Sequence, residues 1–80
     1  MLVKGKSGAV INMDHVTLVQ ARELDEEEWL VLAYTVAGPS DEIGLGVYRT
    51  EEESVDVIDA IFNAWAAGVS VFEMPDTEAV

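Results

Sequence analysis

The apolar positions of this chain change period once. From Met1 to Arg49 they run in short extended stretches broken by glycine, proline and acidic clusters; from Thr50 to Gly68 they follow a helical stripe. In the second stretch Val55, Ile58, Ile61, Phe62 and Trp65 recur at steps of three, three, one and three. At about 100° per residue they share one side of a helix, with Asp56, Asp59 and Asn63 opposite. Thr50 stands three residues before Glu53, the spacing of a capping box. Glu51, Glu52 and Glu53 complement the positive end of the helix dipole, and Gly68 is suited to the left-handed residue that closes a helix. The pattern predicts a helix over 51–67, with Trp65 in the middle of its contact with a sheet.

The earlier stretches read as strands. Met1–Lys4 and Ala9–Met13 flank Gly5-Lys6-Ser7-Gly8 and predict a small hairpin, followed by a bend at Asn12, Asp14 and His15. Val16–Arg22 alternates, and Asp25-Glu26-Glu27-Glu28 reads as a hairpin tip in water. Trp29–Ala37 is rich in β-branched and aromatic residues and has no break. Its two faces, Leu30, Leu32, Tyr34 and Val36 on one side and Trp29, Val31, Ala33 and Thr35 on the other, are both apolar, whereas a one-sided sheet is polar outside. The strand is therefore covered twice, or its second face meets another chain. Gly38-Pro39-Ser40-Asp41 is a turn. Glu42–Arg49 is a further strand, whose Gly44 and Gly46 leave a bare patch for a bulky helix side chain such as Trp65. After the helix, 69–74 reads as a closing strand. The fold expected is α+β: an antiparallel meander of about five strands packed on one helix, one domain over 1–75, then a frayed acidic tail over 76–80.

Composition narrows the function. The sequence has 80 residues, half of them hydrophobic, no cysteine and a net charge of −12. A chain this short buries roughly 60–65% of its unfolded surface, so its core is thin. The absence of cysteine favours a reducing compartment and removes thiolate chemistry. No apolar run has the roughly 18–20 residues of a membrane helix, and the N-terminus lacks the apolar stretch of a signal peptide, so a soluble cytoplasmic protein is expected. Residues 1–22 carry a charge of +2 and residues 23–80 carry −14. That balance argues against direct nucleic-acid binding. It suits a solvated surface, adaptation to high salt, or a mimic of nucleic-acid charge that occupies a basic partner.

Three segments taken together, Val10-Ile11-Asn12-Met13-Asp14-His15-Val16, then Leu45-Gly46-Val47-Tyr48-Arg49-Thr50-Glu51-Glu52-Glu53, then Phe72-Glu73-Met74-Pro75, resemble a group of short uncharacterised proteins of bacteria and their phages. Members share an I-x-N-x-D opening (Val10 stands in the first place here), an L-G-x-Y-x-[ST]-E-E-E helix start and a terminal strand. The resemblance implies a β-rich domain with one helix and carries over no activity.

Motifs for chemistry are weak. His15, Asp14 and one of Ser7, Ser40, Ser54 or Ser70 supply the residue types of a triad, but nothing in the sequence brings them together and no nucleophile elbow is present. Asp25–Glu28 lacks the ligand spacing of an EF-hand, and Gly5–Gly8 lacks that of a phosphate-binding loop. No catalysis, metal or cofactor is expected. The function expected is protein–protein interaction or self-association, as a homo-oligomer, with Trp29, Val31, Ala33 and Thr35 as the interface. The alternative is the acidic mimic, acting through Asp25, Glu26, Glu27, Glu28, Glu51 and Glu52. A small-ligand or cation-binding module is a weaker third.

Overall fold

A computed structural model describes residues 1–35 and 42–75. The end of the predicted strand at Val36 and Ala37, the Gly38–Asp41 turn and the 76–80 tail lie outside the described residues. Among the described residues the chain is α+β, with one helix against an antiparallel meander and a second, smaller sheet. Strands β1 (Leu2–Lys4) and β2 (Val10–Asn12) form the first hairpin, and a 3₁₀ turn over Met13–His15 leads on to β3 (Val16–Asp25). Strands β4 (Glu28–Thr35) and β5 (Glu42–Tyr48), helix α1 (Glu51–Ala66) and β6 (Val71–Glu73) follow. The expected run of five strands divides between two sheets, ordered β2-β1-β6 and β3-β4-β5, and β6 pairs parallel to β1.

Local chemistry explains most of these boundaries. The Thr50 hydroxyl accepts the Glu53 N–H at 3.1 Å, and Glu53 Oε1 accepts the Arg49 N–H at 3.0 Å. Gly68 takes φ +79. Its N–H donates to the Trp65 carbonyl and the Val69 N–H to the Ala64 carbonyl, the paired bonds of a Schellman motif. At the bend after β2, Asn12 rather than Asp14 makes the side-chain turn, its Oδ1 accepting the Asp14 N–H at 3.0 Å. The β3–β4 register runs out to Asp25 opposite Glu28, so the acidic tip is a tight turn at Glu26 and Glu27.

The glycine pair does not form one bare patch. Val31 pairs with Gly46 and Leu32 with Gly44, so Leu45 is an extra residue, a β-bulge, in β5. The bulge puts the glycines on opposite faces. A side chain at Gly44 would press on Leu30 Cδ1 at 3.3 Å, and one at Gly46 on Lys6 and the Tyr48 hydroxyl at 3.1 Å. Leu30, Lys6 and Tyr48, not Trp65, occupy the space. Leu45 itself enters the core, and its carbonyl accepts the Lys6 N–H at 2.8 Å.

One core draws on all three layers: Val3, Ile11 and Met74 from the small sheet and its continuation, Val31, Ala33, Leu45 and Tyr48 from the large one, Val57 and Ile61 from the helix. The helix is rolled away from its expected face. Ser54, Val57 and Ile61 are buried, whereas Val55, Phe62 and Trp65 are exposed, Phe62 by 68% and Trp65 by 45%. The buried face of the helix carries its smaller residues, Ser54 and the half-buried Ala60 and Ala64 beside Val57 and Ile61, and it meets Val31 and Ala33 in the common core.

Two stability outcomes follow, both read from urea melts. Ile61→Ala costs about 2–5 kcal/mol, because it empties a buried site, while Trp65→Ala costs about 1 kcal/mol or less. Equal losses for the two would mean that the roll of the helix is misplaced. Gly5→Ala costs about 1–3 kcal/mol, since its new Cβ would lie 3.2 Å from the Leu45 carbonyl oxygen in the packed joint between the two sheets.

Candidate functional site

The residues expected to form an interface do not present one. Val31 and Ala33 are fully buried and face the helix, while Trp29 and Thr35 are half-buried at the ends of the same row. Helix α1 and the small sheet take up that face, so it has no room for a partner. The expectation had the two faces of β4 reversed.

Among the described residues no helix lies on the opposite face of the large sheet. Cross-strand register puts Leu18, Gln20 and Arg22 of β3 on this face, with Leu30, Leu32 and Tyr34 of β4 and Glu42, Gly44 and Val47 of β5. Leu32 lies outside the helix-side core, yet it is fully buried. Leu18 and Val47 stay 48% and 40% exposed on either side of it. The polar groups bond to one another across all three strands. Arg22 Nη2 donates to Glu42 Oε2 and to the Tyr34 hydroxyl, each at 2.8 Å, and Gln20 Nε2 donates to the same hydroxyl at 3.3 Å. The hydrogen bond from Arg22, then the Tyr34 hydroxyl, holds the Glu42 carboxyl below its ordinary range. Bonding to Glu42 and then Tyr34 raises the Arg22 guanidinium. The pair is half in solvent, so its worth to stability is small; its effect is to neutralise the face.

The acidic residues gather elsewhere. Trp29 opposite Tyr48 sets the β3–β4 tip beside the segment that leads into the helix. Asp25, Glu26, Glu27 and Glu28 line an open cleft together with Arg49, and Glu51 and Glu52 begin the helix two residues beyond it. The six acids named as the alternative partner-binding set thus lie toward one end of the molecule, divided by Arg49. Among the described residues no three His, Cys, Asp or Glu side chains converge on a point where a metal ion could sit. His15 is exposed on the 3₁₀ turn, and Ser54 is buried in the helix with its hydroxyl donating to the Glu51 carbonyl at 2.6 Å. Ser40 lies outside the described residues.

Sequence reasoning missed the exposed flank of α1. Its signal was present: Val57 and Ile61 form a second apolar line beside Val55, Ile58, Phe62 and Trp65, and the two lines together are wider than one sheet contact covers. No protein-family model, curated protein or solved structure matches this chain, so the surfaces themselves carry what can be said of its function.

Proposed function

We propose that this chain is a small, non-enzymatic, cytoplasmic interaction domain that self-associates through the outer face of its β3-β4-β5 sheet. The observation that carries the reading is the exposed pair Leu18 and Val47 on the outer sheet face, which no described helix covers and whose charges, Arg22 and Glu42, cancel. A chain with a net charge of −12 repels its own copies across most of its surface. A neutral, partly apolar face is where that repulsion is least. Two such faces pack about 10 Å apart in a sheet-on-sheet contact, and Arg22 of one copy can then lie near Glu42 of the other. The patch is narrow, so the dimer is weak and depends on concentration.

Light scattering coupled to gel filtration tests this. The expected outcome is a mass that rises toward a dimer with protein concentration, and does so more readily at high salt, where the general repulsion is screened. Leu18→Arg abolishes the rise without lowering the urea midpoint by more than about 0.5 kcal/mol, as for a surface substitution. A monomer at every concentration and salt, or a Leu18→Arg variant that still dimerises, rules the face out.

The acidic end supports a second reading, a charge mimic that occupies a basic, nucleic-acid-handling protein. The fold brings the hairpin tip and the helix start to one end of the chain. Here the probe is an arginine-rich peptide. Binding is expected to weaken steeply between low and high salt, and to be lost when Asp25–Glu28 are replaced by their amides. Unchanged affinity in that variant would make the acidity a general solvation feature rather than a binding surface.

A further inference from the structure

We propose that the exposed flank of α1 is a docking groove for a basic amphipathic helix of another protein, independent of the sheet face above. Val55, Ile58, Phe62 and Trp65 are spaced three, four and three residues apart, the alternation of a coiled-coil seam. The exposed members are Val55, Phe62 and Trp65, and Ile58 is half-buried between them. The seam borders an apolar cavity of about 150 Å³, lined by Met13, Val19, Ile58, Ile61, Phe62 and Trp65. A space of that order accepts a benzene-sized group. Met13 at its base adapts readily to what enters, and the two aromatic rims are the residue types that anchor interfaces.

The shape and charge of this surface select the occupant. Along the solvent side of the seam, Glu52 and Asp59 stand seven residues apart, in the position that pairs with charges on a facing helix. Asp14 adjoins Met13, and Glu23 lies on the same face of β3 as Val19. No lysine or arginine lines the cavity. Arg22 is bonded to Glu42 on the far face of the sheet, Lys6 lies over the Tyr48 ring, and Arg49 lines the acidic cleft. A second copy docked antiparallel would set Glu52 and Asp59 against their own counterparts, and one docked parallel would set them against Ser54 and Ile61, which are buried and carry no cation. A helix with an apolar seam flanked by lysine or arginine meets both features at once: one large apolar side chain enters the cavity, and its cations face the acidic line. The seam from Val55 to Trp65 spans about 15 Å of helix, so three turns of a partner cover it.

The test uses the full chain with Trp29→Phe, which leaves Trp65 as the sole tryptophan reporter. The probes are three peptides of about 21 residues, long enough to hold helical structure. One has a leucine seam flanked by lysine, one has the same composition scrambled, and one has glutamate in place of lysine. The lysine-flanked helix is expected to shift Trp65 emission to the blue with saturation, to bind at least tenfold more tightly than the scrambled peptide, and the glutamate helix is expected not to bind. Phe62→Ala weakens the first interaction at least tenfold while the circular dichroism stays unchanged. Glu52→Lys with Asp59→Lys reverses the preference toward the glutamate helix. Amides at Asp25–Glu28 leave it within twofold. Equal binding of the scrambled peptide, indifference to Phe62→Ala, an unreversed preference, or loss of binding in the tip variant would each overturn the groove; the last would transfer the interaction to the acidic end.

Discussion

The fold depends on one inserted residue. Leu45 is extra to the β4–β5 register, and the bulge it makes joins the two sheets. Its side chain is almost fully buried in the common core, and its carbonyl, freed from the β-ladder, accepts the N–H of Lys6 in the β1–β2 turn. Gly5 can lie against that carbonyl because it has no side chain. The next residue, Gly46, leaves room for the Tyr48 ring, whose hydroxyl donates to the Pro75 carbonyl at 2.8 Å. The first turn, the last strand of the meander and the end of the described chain are thereby tied at a single point. A three-stranded sheet and three short strands would otherwise have little to hold them in one orientation, because neither buries much area alone.

Closeness is the second constraint, and it explains which surfaces stay open. Val31 and Ala33 make a floor of small residues in the core that Val57 and Ile61 of the helix enter. A helix can approach such a floor only by turning its own small residues toward it. Ser54, Ala60 and Ala64 alternate there with Val57 and Ile61, and the Ser54 hydroxyl, fully buried, bonds the Glu51 carbonyl instead of water. The large side chains are displaced sideways. Phe62 and Trp65 therefore reach the surface, and Leu30, Leu32 and Tyr34 of β4 lie on the outer face.

How legible this was in the sequence follows from what each signal measures. The helix and its ends were readable because capping is local: Thr50, Glu53 and Gly68 each act within one turn of chain. The strands were readable because period-two alternation is also local. The roll of the helix was not, since the stripe of Val55, Ile58, Phe62 and Trp65 has the same spacing as the buried Ser54, Val57, Ile61 and Ala64 but larger apolar side chains. The choice between them is made by the sheet, through residues such as Ala33 that lie about thirty positions away. Nor was the bulge, although the Gly44-Leu45-Gly46 sequence marks a place where the ladder can be broken. The parallel pairing of β6 with β1 joins nearly the two ends of the described chain, beyond the reach of any local rule. For the interface the sequence indicated that β4 has two apolar faces, and the alternation of one strand cannot tell which of two apolar faces a helix about twenty residues away covers.

Charge then decides how such a chain can meet others. Dispersed over every surface, sixteen acids against four bases would keep copies apart at all orientations. The fold groups part of them. It pairs Arg22 with Glu42 on the outer sheet, collects Asp25–Glu28 and the helix start at one end, and leaves Glu52 and Asp59 along the aromatic seam. On the readings proposed above, these are three environments with different electrostatic selectivity: a neutral face that would tolerate an identical copy, an end that would attract cations without regard to shape, and a groove that would demand both a cationic rim and an apolar anchor. Only the last couples shape to charge. It alone can distinguish one basic partner from another, because a partner lacking the apolar anchor forfeits the cavity and one lacking the cations is repelled.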